Sequence, residues 1–170
     1  FIAQALGGPG VKIEWRSSPL YMPLYIAIDQ DRTLFEAQLF PGYGRWTHDV
    51  QKHLRQLSAS LREATDAIVF EIAESDKGTK ISVPLLAFEF CGALPAGNNA
   101  WQRCGRALAC AEAKIPYLYF AELGGAELSA DRQEKSSRLP NPLIPFAYLS
   151  LGQAMGSISI PVFSPSPSIS

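Results

Sequence analysis

Two apolar runs with a short turn between them place the strongest constraint on how this chain folds. Residues 66–73 and 80–91 are rich in aliphatic and aromatic side chains, and Ser, Asp, Lys and Gly fill positions 75–78. This arrangement predicts a β-hairpin. With the turn centred near residues 76–77, antiparallel partners have residue numbers that sum to about 153–155.

The hairpin brings two acidic residues toward each other. In the predicted register Asp66 lies opposite residues 87–89, so its carboxylate approaches that of Glu89. Two carboxylates that converge at one end of a sheet repel each other unless a cation lies between them. The sequence therefore predicts a divalent metal site formed by Asp66 and Glu89.

Length and composition set the bounds on fold and partners. With 170 residues and 47% hydrophobic side chains, the chain is long enough to bury a core. We expect one domain over residues 1–163, followed by a Ser/Pro-rich tail or truncated edge at 164–170. The formal net charge of −1 argues against a protein that coats DNA, but it allows a local basic patch.

The cysteines and the apolar runs bear on the cellular setting. Cys91, Cys104 and Cys110 lack CxxC spacing, which indicates neither a disulfide framework nor a zinc site. Reduced thiols are typical of a cytoplasmic protein. No apolar run reaches the roughly 18 residues of a membrane span, so no membrane partner is expected. Because the chain begins at Phe1, we interpret it as a fragment or a trimmed protein.

The order of predicted elements indicates a mixed α/β fold with a central mixed sheet, in which hairpins are flanked by helices. Glycine, proline and polar clusters separate segments of helical or alternating period. The segments are a strand at 11–15, a hairpin at 25–29 and 33–40, a helix from Thr47 with an apolar stripe of Val50, Leu54, Leu57 and Leu61, the central hairpin, a helix from Asn98 or Asn99 to about Lys114, a strand at 116–123, a loop at 129–142, a helix at 146–155 and a strand at 159–163.

Glu89 is the more informative of the two acids. It lies within the apolar run LLAFEF, where a solvated glutamate is not expected. Carboxylate oxygens suit Mg²⁺, which polarises a phosphate and lowers the pKa of an attacking water. The simpler alternative is that Glu89 points outward on a half-exposed sheet and that Asp66 only begins a strand.

The succession of Asp66, a hairpin, Glu89 and a helix carrying Gln102 and Arg103 resembles the PD-(D/E)XK nuclease superfamily, which includes many restriction endonucleases. The resemblance covers residues 46–123. It implies a restriction endonuclease-like core, with Asp66 and Glu89 as metal ligands and with Gln102 and Arg103 facing the scissile phosphate. It further implies Mg²⁺ or Mn²⁺ as cofactor, DNA as substrate, and a homodimer or a larger protein assembly.

Two positions depart from that family pattern. Thr65 stands where the family commonly has proline, and Cys91 stands where it has a lysine that orients water and offsets charge. Arg103 or Lys114 can supply the missing cation. Alternatively, the module is catalytically inactive and has a DNA-binding or structural role, or the chain is an unrelated α/β protein.

Other groups of residues offer weaker alternatives. Asp29 with Glu36 and Gln38 forms a second possible acidic site, although Asp29 is more simply a turn residue. Asp49 and His53 have the i, i+4 spacing of helical metal ligands, whereas His48 and His53 are five apart and diverge. A solvated helix face explains these residues more simply. Cys91 lacks the flanking signature of a thiol nucleophile.

Two further features concern phosphate binding. The segment GALPAG at 92–97 precedes a helix start, where N–H groups can bind a phosphate oxygen, although a plain strand-to-helix connection explains it too. Five cations can form a local basic surface that neutralises backbone phosphates. They are Lys52, Arg55, Arg62, Arg103 and Arg106. The negative charges of Glu63 and Glu112 reduce the net positive charge of this surface.

Overall fold

A computed structural model describes residues 11–16, 18–21, 24–29, 32–40, 48–91, 103–123, 126–128, 134–137 and 143–165. Within these residues the chain forms nine strands and three helices. They divide between two units, Phe1–Ala87 and Phe88–Ser170, and each unit is described by itself.

The first unit is built on antiparallel strands and one helix. Each strand pairs antiparallel with the next along the chain, and β2 and β3 form the predicted first hairpin. Helix α1 carries Asp49 in its first turn and Arg55 in its last, which suits the helix dipole. Val50 and Leu54 are fully buried on its inner face, as predicted. The elements are β1 (Lys12–Arg16), β2 (Leu24–Asp29), β3 (Arg32–Leu39), α1 (His48–Leu57) and β4 (Ala67–Glu74).

The predicted central hairpin is present. Strand β4 leads through a turn into β5 (Lys80–Cys91). Ser75 donates its N–H to the carbonyl of Thr79 at 2.9 Å, and Gly78 donates to the carbonyl of Ser75 at 2.8 Å. Gly78 has a φ of 71°, a left-handed conformation that favours glycine. The turn is therefore centred at the predicted place.

The second unit combines a parallel strand pair with two helices. It contains the end of β5, then α2 (Cys104–Glu112), β6 (Tyr117–Leu123), β7 (Ala126–Leu128), β8 (Glu134–Ser137), α3 (Leu143–Ala154) and β9 (Ser159–Pro165). β6 and β9 run parallel, while β7 and β8 form a separate antiparallel pair. Helix α3 packs against β9 and α2. The buried core of the second unit includes Ala107, Ala111, Ile115, Tyr117 and Tyr148.

Both helices of the second unit end in the same way. After α2, Lys114 has a φ of 62°, and Ile115 donates its N–H to the carbonyl of Cys110 at 2.9 Å. After α3, Gly156 has a φ of 63°, and Ser157 donates to the carbonyl of Gly152 at 2.8 Å. These are Schellman endings, in which a left-handed residue lets the chain satisfy the last carbonyls. In α2 a lysine occupies the position that favours glycine.

The antiparallel first unit and the parallel pair of the second confirm the mixed α/β class. Several boundaries differ from expectation. Helix α3 begins at Leu143 rather than at residue 146, and α1 ends at Leu57, so Leu61 of the predicted stripe lies beyond the helix. The predicted loop at 129–142 contains β8, whose polar sequence EKSS lacks strand-like alternation but pairs with β7. β9 continues to Pro165, two residues into the predicted tail, at the end of the strand order where proline is tolerated. α2 has its N-cap at Arg103, and Asn98 and Asn99 lie outside the described residues.

Candidate functional site

The centre of the second unit is a buried ion-pair cluster around Glu89, near the end of β5. One carboxylate oxygen, Oε1, accepts from Nε of Arg103 at 2.6 Å and from Nη1 of Arg106 at 2.5 Å. The Glu89 side chain is 0% exposed, and the two arginine side chains are 21% and 13% exposed. A buried carboxylate is strongly disfavoured without such charge-assisted hydrogen bonds. Glu89 is therefore accommodated within the apolar run LLAFEF as the partner of Arg103 and Arg106 in two ion pairs.

The local sequence explains why these three side chains meet. Arg103 occupies the N-cap position of α2, and Arg106 lies three residues later, so both fall on one side of the helix. Phe88 and Phe90 alternate with Glu89 along β5 and stack with each other and with Phe120. The alternative in which Glu89 points outward is therefore wrong, because the side chain is buried.

Two buried neighbours of the Glu89 cluster have raised pKa values. Burial, and secondly the negative charge of Glu89, raise the pKa of Cys110 to about 12. Burial and then Glu89 also raise the pKa of Tyr117 well above 10. Both groups consequently stay protonated at neutral pH, and Cys110 is an inert thiol rather than a nucleophile.

Two buried hydroxyl groups belong to residues at paired positions of neighbouring strands in this unit. Tyr117 and Ser159 are paired across β6 and β9, and both side chains are buried. Within the described part of the chain, neither Oη of Tyr117 nor Oγ of Ser159 makes a hydrogen bond. The Tyr117 ring packs edge-on against Tyr148 of α3, with centroids 6.0 Å apart. Ser159 faces Gly152, where a Cβ atom would lie 2.7 Å from Oγ.

Asp66 belongs to the first unit, whereas Glu89 belongs to the second. Asp66 is half-buried at the residue before β4, and its carbonyl accepts from the N–H of Phe40 at 2.9 Å. Thr65, which stands in place of proline, donates its buried hydroxyl to the carbonyl of Ala67 at 3.0 Å. Asp66 therefore begins a strand, and its pairing with Glu89 stays a prediction.

The remaining predicted site residues are only partly described. Gln102 and segment 92–97 lie outside the described residues, and Cys91 is described only as the last backbone position of β5. Among the side chains that the structure describes, no three His, Cys, Asp or Glu residues are arranged to hold a metal ion. Of the predicted catalytic set, the structure brings Arg103 to Glu89.

A second polar cluster lies in the first unit and includes the alternative acidic site. Glu36 and Gln38 alternate on β3, and Nε2 of Gln38 donates to Oε1 of Glu36 at 2.7 Å. Nε2 of His53, on α1, lies 2.8 Å from Oε1 of Gln38. Gln38 is buried, and both the nitrogen and the oxygen of its amide have a hydrogen-bond partner. His53 thus faces the sheet, and the expected solvated helix face does not apply to it.

Aromatic rings enclose this second cluster. The Tyr21 and His53 rings lie 5.5 Å apart, and Phe40 lies within 6.5 Å of both. Burial lowers the pKa of His53, with Glu36 opposing the shift. Burial and then Glu36 raise the pKa of Tyr21. The Asp29 side chain is outside the described residues, so its place in an acidic site is not described.

Sequence reasoning missed two of these links. The sequence analysis places Arg106 only in a local basic surface, although its i, i+3 spacing from Arg103 puts both arginines on one helix face. The contact between Gln38 and His53 had no local signal, because it joins a strand to a helix over 15 positions.

Comparison with protein-family models, with curated proteins and with solved structures finds no match to this chain. None of the helices in the described residues is long and apolar enough to cross a membrane.

Proposed function

We propose that this chain is a DNA-binding α/β module, related in design to the PD-(D/E)XK nucleases, in which Glu89 orders two arginines for phosphate contact. The proposal rests on one observation: a single buried oxygen of Glu89 accepts hydrogen bonds from both Arg103 and Arg106. A cytoplasmic location is part of the proposal, which the free thiols of Cys104 and Cys110 support.

The chemistry of arginine supports this function. A guanidinium carries five N–H donors in a planar fork that matches phosphate geometry. Both arginine side chains retain some exposure, so a ligand can reach them. They lie at the start of α2, whose first turn has no acidic residue and whose dipole favours an anion.

The surroundings of Glu89 fit a divalent cation poorly. Mg²⁺ bound to Oε1 would have to displace two guanidinium groups that lie 2.5 and 2.6 Å from it. Cys91 stands where the nuclease pattern has its lysine, and a thiol cannot supply a cation. Both observations favour a module that binds DNA without cleaving it at Glu89.

The test is DNA binding measured by fluorescence anisotropy over a series of salt concentrations. Arg103→Gln and Arg106→Gln should each weaken binding about tenfold and reduce the slope of log K against log salt by about 1. Arg32→Gln is the matched control, because Arg32 is an exposed arginine of the first unit that is not among the cations of the predicted basic surface. Equal affinity in the wild type and both α2 variants would overturn the proposal.

A metal-dependent nuclease is the second proposal, and the complete burial of Glu89 beside the helix carrying Arg103 supports it. It requires Asp66 and Glu89 to bind Mg²⁺ or Mn²⁺, with Gln102 and Arg103 at the phosphate. Under this proposal, Asp66→Asn and Glu89→Gln each abolish cleavage of plasmid DNA in Mg²⁺ or Mn²⁺. If the wild type binds DNA but cleaves none with either ion, the second proposal fails and the first stands.

A further inference from the structure

Three phenylalanine rings of the second unit form a stack that begins in the core and ends at the surface. The ring centroids of Phe90 and Phe120 lie 5.1 Å apart, with an angle of 18° between the ring planes. The Phe88 ring lies 6.4 Å from that of Phe90 and 6.0 Å from that of Phe120, and these separations are typical of offset stacking. Phe88 is 3% exposed, Phe120 is half-buried and Phe90 is 54% exposed, so the stack ends in solvent at Phe90.

The exposed end of this stack lies on the sheet face opposite the two helices of the unit. Side chains alternate between the two faces of a strand, so Phe90 lies opposite Glu89, whose ion-pair partners are on α2. On β6, Phe120 likewise lies opposite Tyr119, which packs against Tyr148 of α3. Both helices therefore pack on the other face, and a ligand can reach the ring of Phe90 from solvent.

We infer that Phe90 stacks on an unpaired base of single-stranded DNA, an inference that rests on the proposed function. The exposed end of a stack of flat rings accommodates one more flat ring, and every nucleobase has such a face. In a duplex the neighbouring base pairs cover both faces of each base, so an unpaired base is the one that can stack on a protein ring. The stack at Phe90 thus favours single strands over duplex DNA.

The charges beside Phe90 favour a nucleic acid over a purely apolar partner. Glu89, the preceding residue, holds Arg103 and Arg106, whose side chains are 21% and 13% exposed. A stacking ring and two cations therefore occur together at the end of β5, and proteins that bind single strands combine such aromatic rings with positive charge. Because the ring and the arginines lie on opposite faces of the strand, the bound DNA passes around the end of β5, with its phosphates at α2 and a base on Phe90.

The experiment compares single-stranded and duplex DNA by fluorescence anisotropy with the full chain. An oligothymidylate of about 12 nucleotides has the length that single-strand sites cover. Phe90→Leu keeps an apolar side chain but removes the flat ring, so it should weaken binding of this oligonucleotide about tenfold and leave the affinity for a duplex unchanged. Phe90→Tyr keeps a flat ring and should bind both forms as the wild type does.

A second exposed phenylalanine provides the matched control. Phe146, on α3 of the same unit, is 64% exposed, and Phe146→Leu should leave both affinities unchanged. Because Phe90 and Phe146 are both exposed, the circular dichroism spectra of all three variants should match that of the wild type.

Equal single-strand affinity in the wild type and in Phe90→Leu would overturn the inference, and this is also the result expected if the ring binds a protein partner instead. If Arg103→Gln and Arg106→Gln still weaken binding in the same titrations, the proposed function stands without the base contact. An equal loss of duplex and single-strand affinity in Phe90→Leu would also overturn the inference, because paired bases offer no open face. A wild type that binds neither form refutes both proposals.

Discussion

Nη1 of Arg106 lies 2.5 Å from Oε1 of Glu89, although the residues are 17 positions apart and on different elements. The contact joins the end of a strand to the first turn of the following helix. Arg103 reaches the same oxygen, so one carboxylate holds two guanidinium groups. Glu89 therefore fixes the positions of the two arginines that the proposed function assigns to phosphate contact.

Removing the charge of Glu89 should destabilise the protein. Glu89→Gln leaves two largely buried guanidinium groups without their carboxylate, which should lower the free energy of unfolding by about 3 kcal/mol. Urea denaturation monitored by circular dichroism measures the change. The triple variant with Glu89→Leu, Arg103→Met and Arg106→Met should recover most of the loss, because it replaces the whole ionic cluster by apolar groups. A loss below about 1 kcal/mol in Glu89→Gln, typical of an exposed pair, would contradict this account.

His53 should make stability depend on pH. Burial lowers its pKa in the folded protein below the usual 6.5, so the unfolded chain binds the proton more readily. The free energy of unfolding should then decrease as the pH falls from 6.5 through the folded-state pKa. Above pH 6.5, His53 should no longer make the free energy of unfolding depend on pH. His53→Gln should flatten this part of the profile in urea titrations. Glu36→Gln should steepen it, because the Glu36 charge opposes the shift, and identical profiles in all three proteins would refute the prediction.

Lys114 should be a position where glycine is more stable than alanine. Its φ of 62° strains any residue with a Cβ atom, while its Nζ donates to the carbonyl of Met155. Comparing Lys114→Gly with Lys114→Ala cancels the loss of that hydrogen bond. Glycine should be more stable than alanine by about 1 kcal/mol in thermal or urea unfolding. If alanine is equally stable, the left-handed ending of α2 is not the strained conformation described above.

Cys110 should resist alkylation as long as the protein is folded. Its pKa of about 12 leaves very little thiolate at pH 8, and the side chain is fully buried. Iodoacetamide labelling followed by peptide mass spectrometry should therefore modify half-buried Cys104 before Cys110. In urea the two should react at similar rates. Rapid labelling of Cys110 in the native protein would show that the Glu89 cluster opens readily.

The sequence by itself determined the local elements. Alternating apolar runs and turn residues located both hairpins, and the helical period located Val50 and Leu54 on the buried side of α1. These signals are local, because backbone turns and side-chain alternation depend on residues a few positions apart. The sequence did not predict strand β8, because a polar strand of four residues has no such pattern.

Only the tertiary structure decided which polar groups meet. The apolar neighbours of Glu89 indicated that it was unusual, but its function as the partner of two arginines depends on how α2 packs over the end of β5. The Gln38 contact with His53 likewise depends on α1 lying against β3. The low dielectric of the interior makes such pairing obligatory once a polar group is buried. The sequence states which groups must be paired, and the packing of the elements selects their partners.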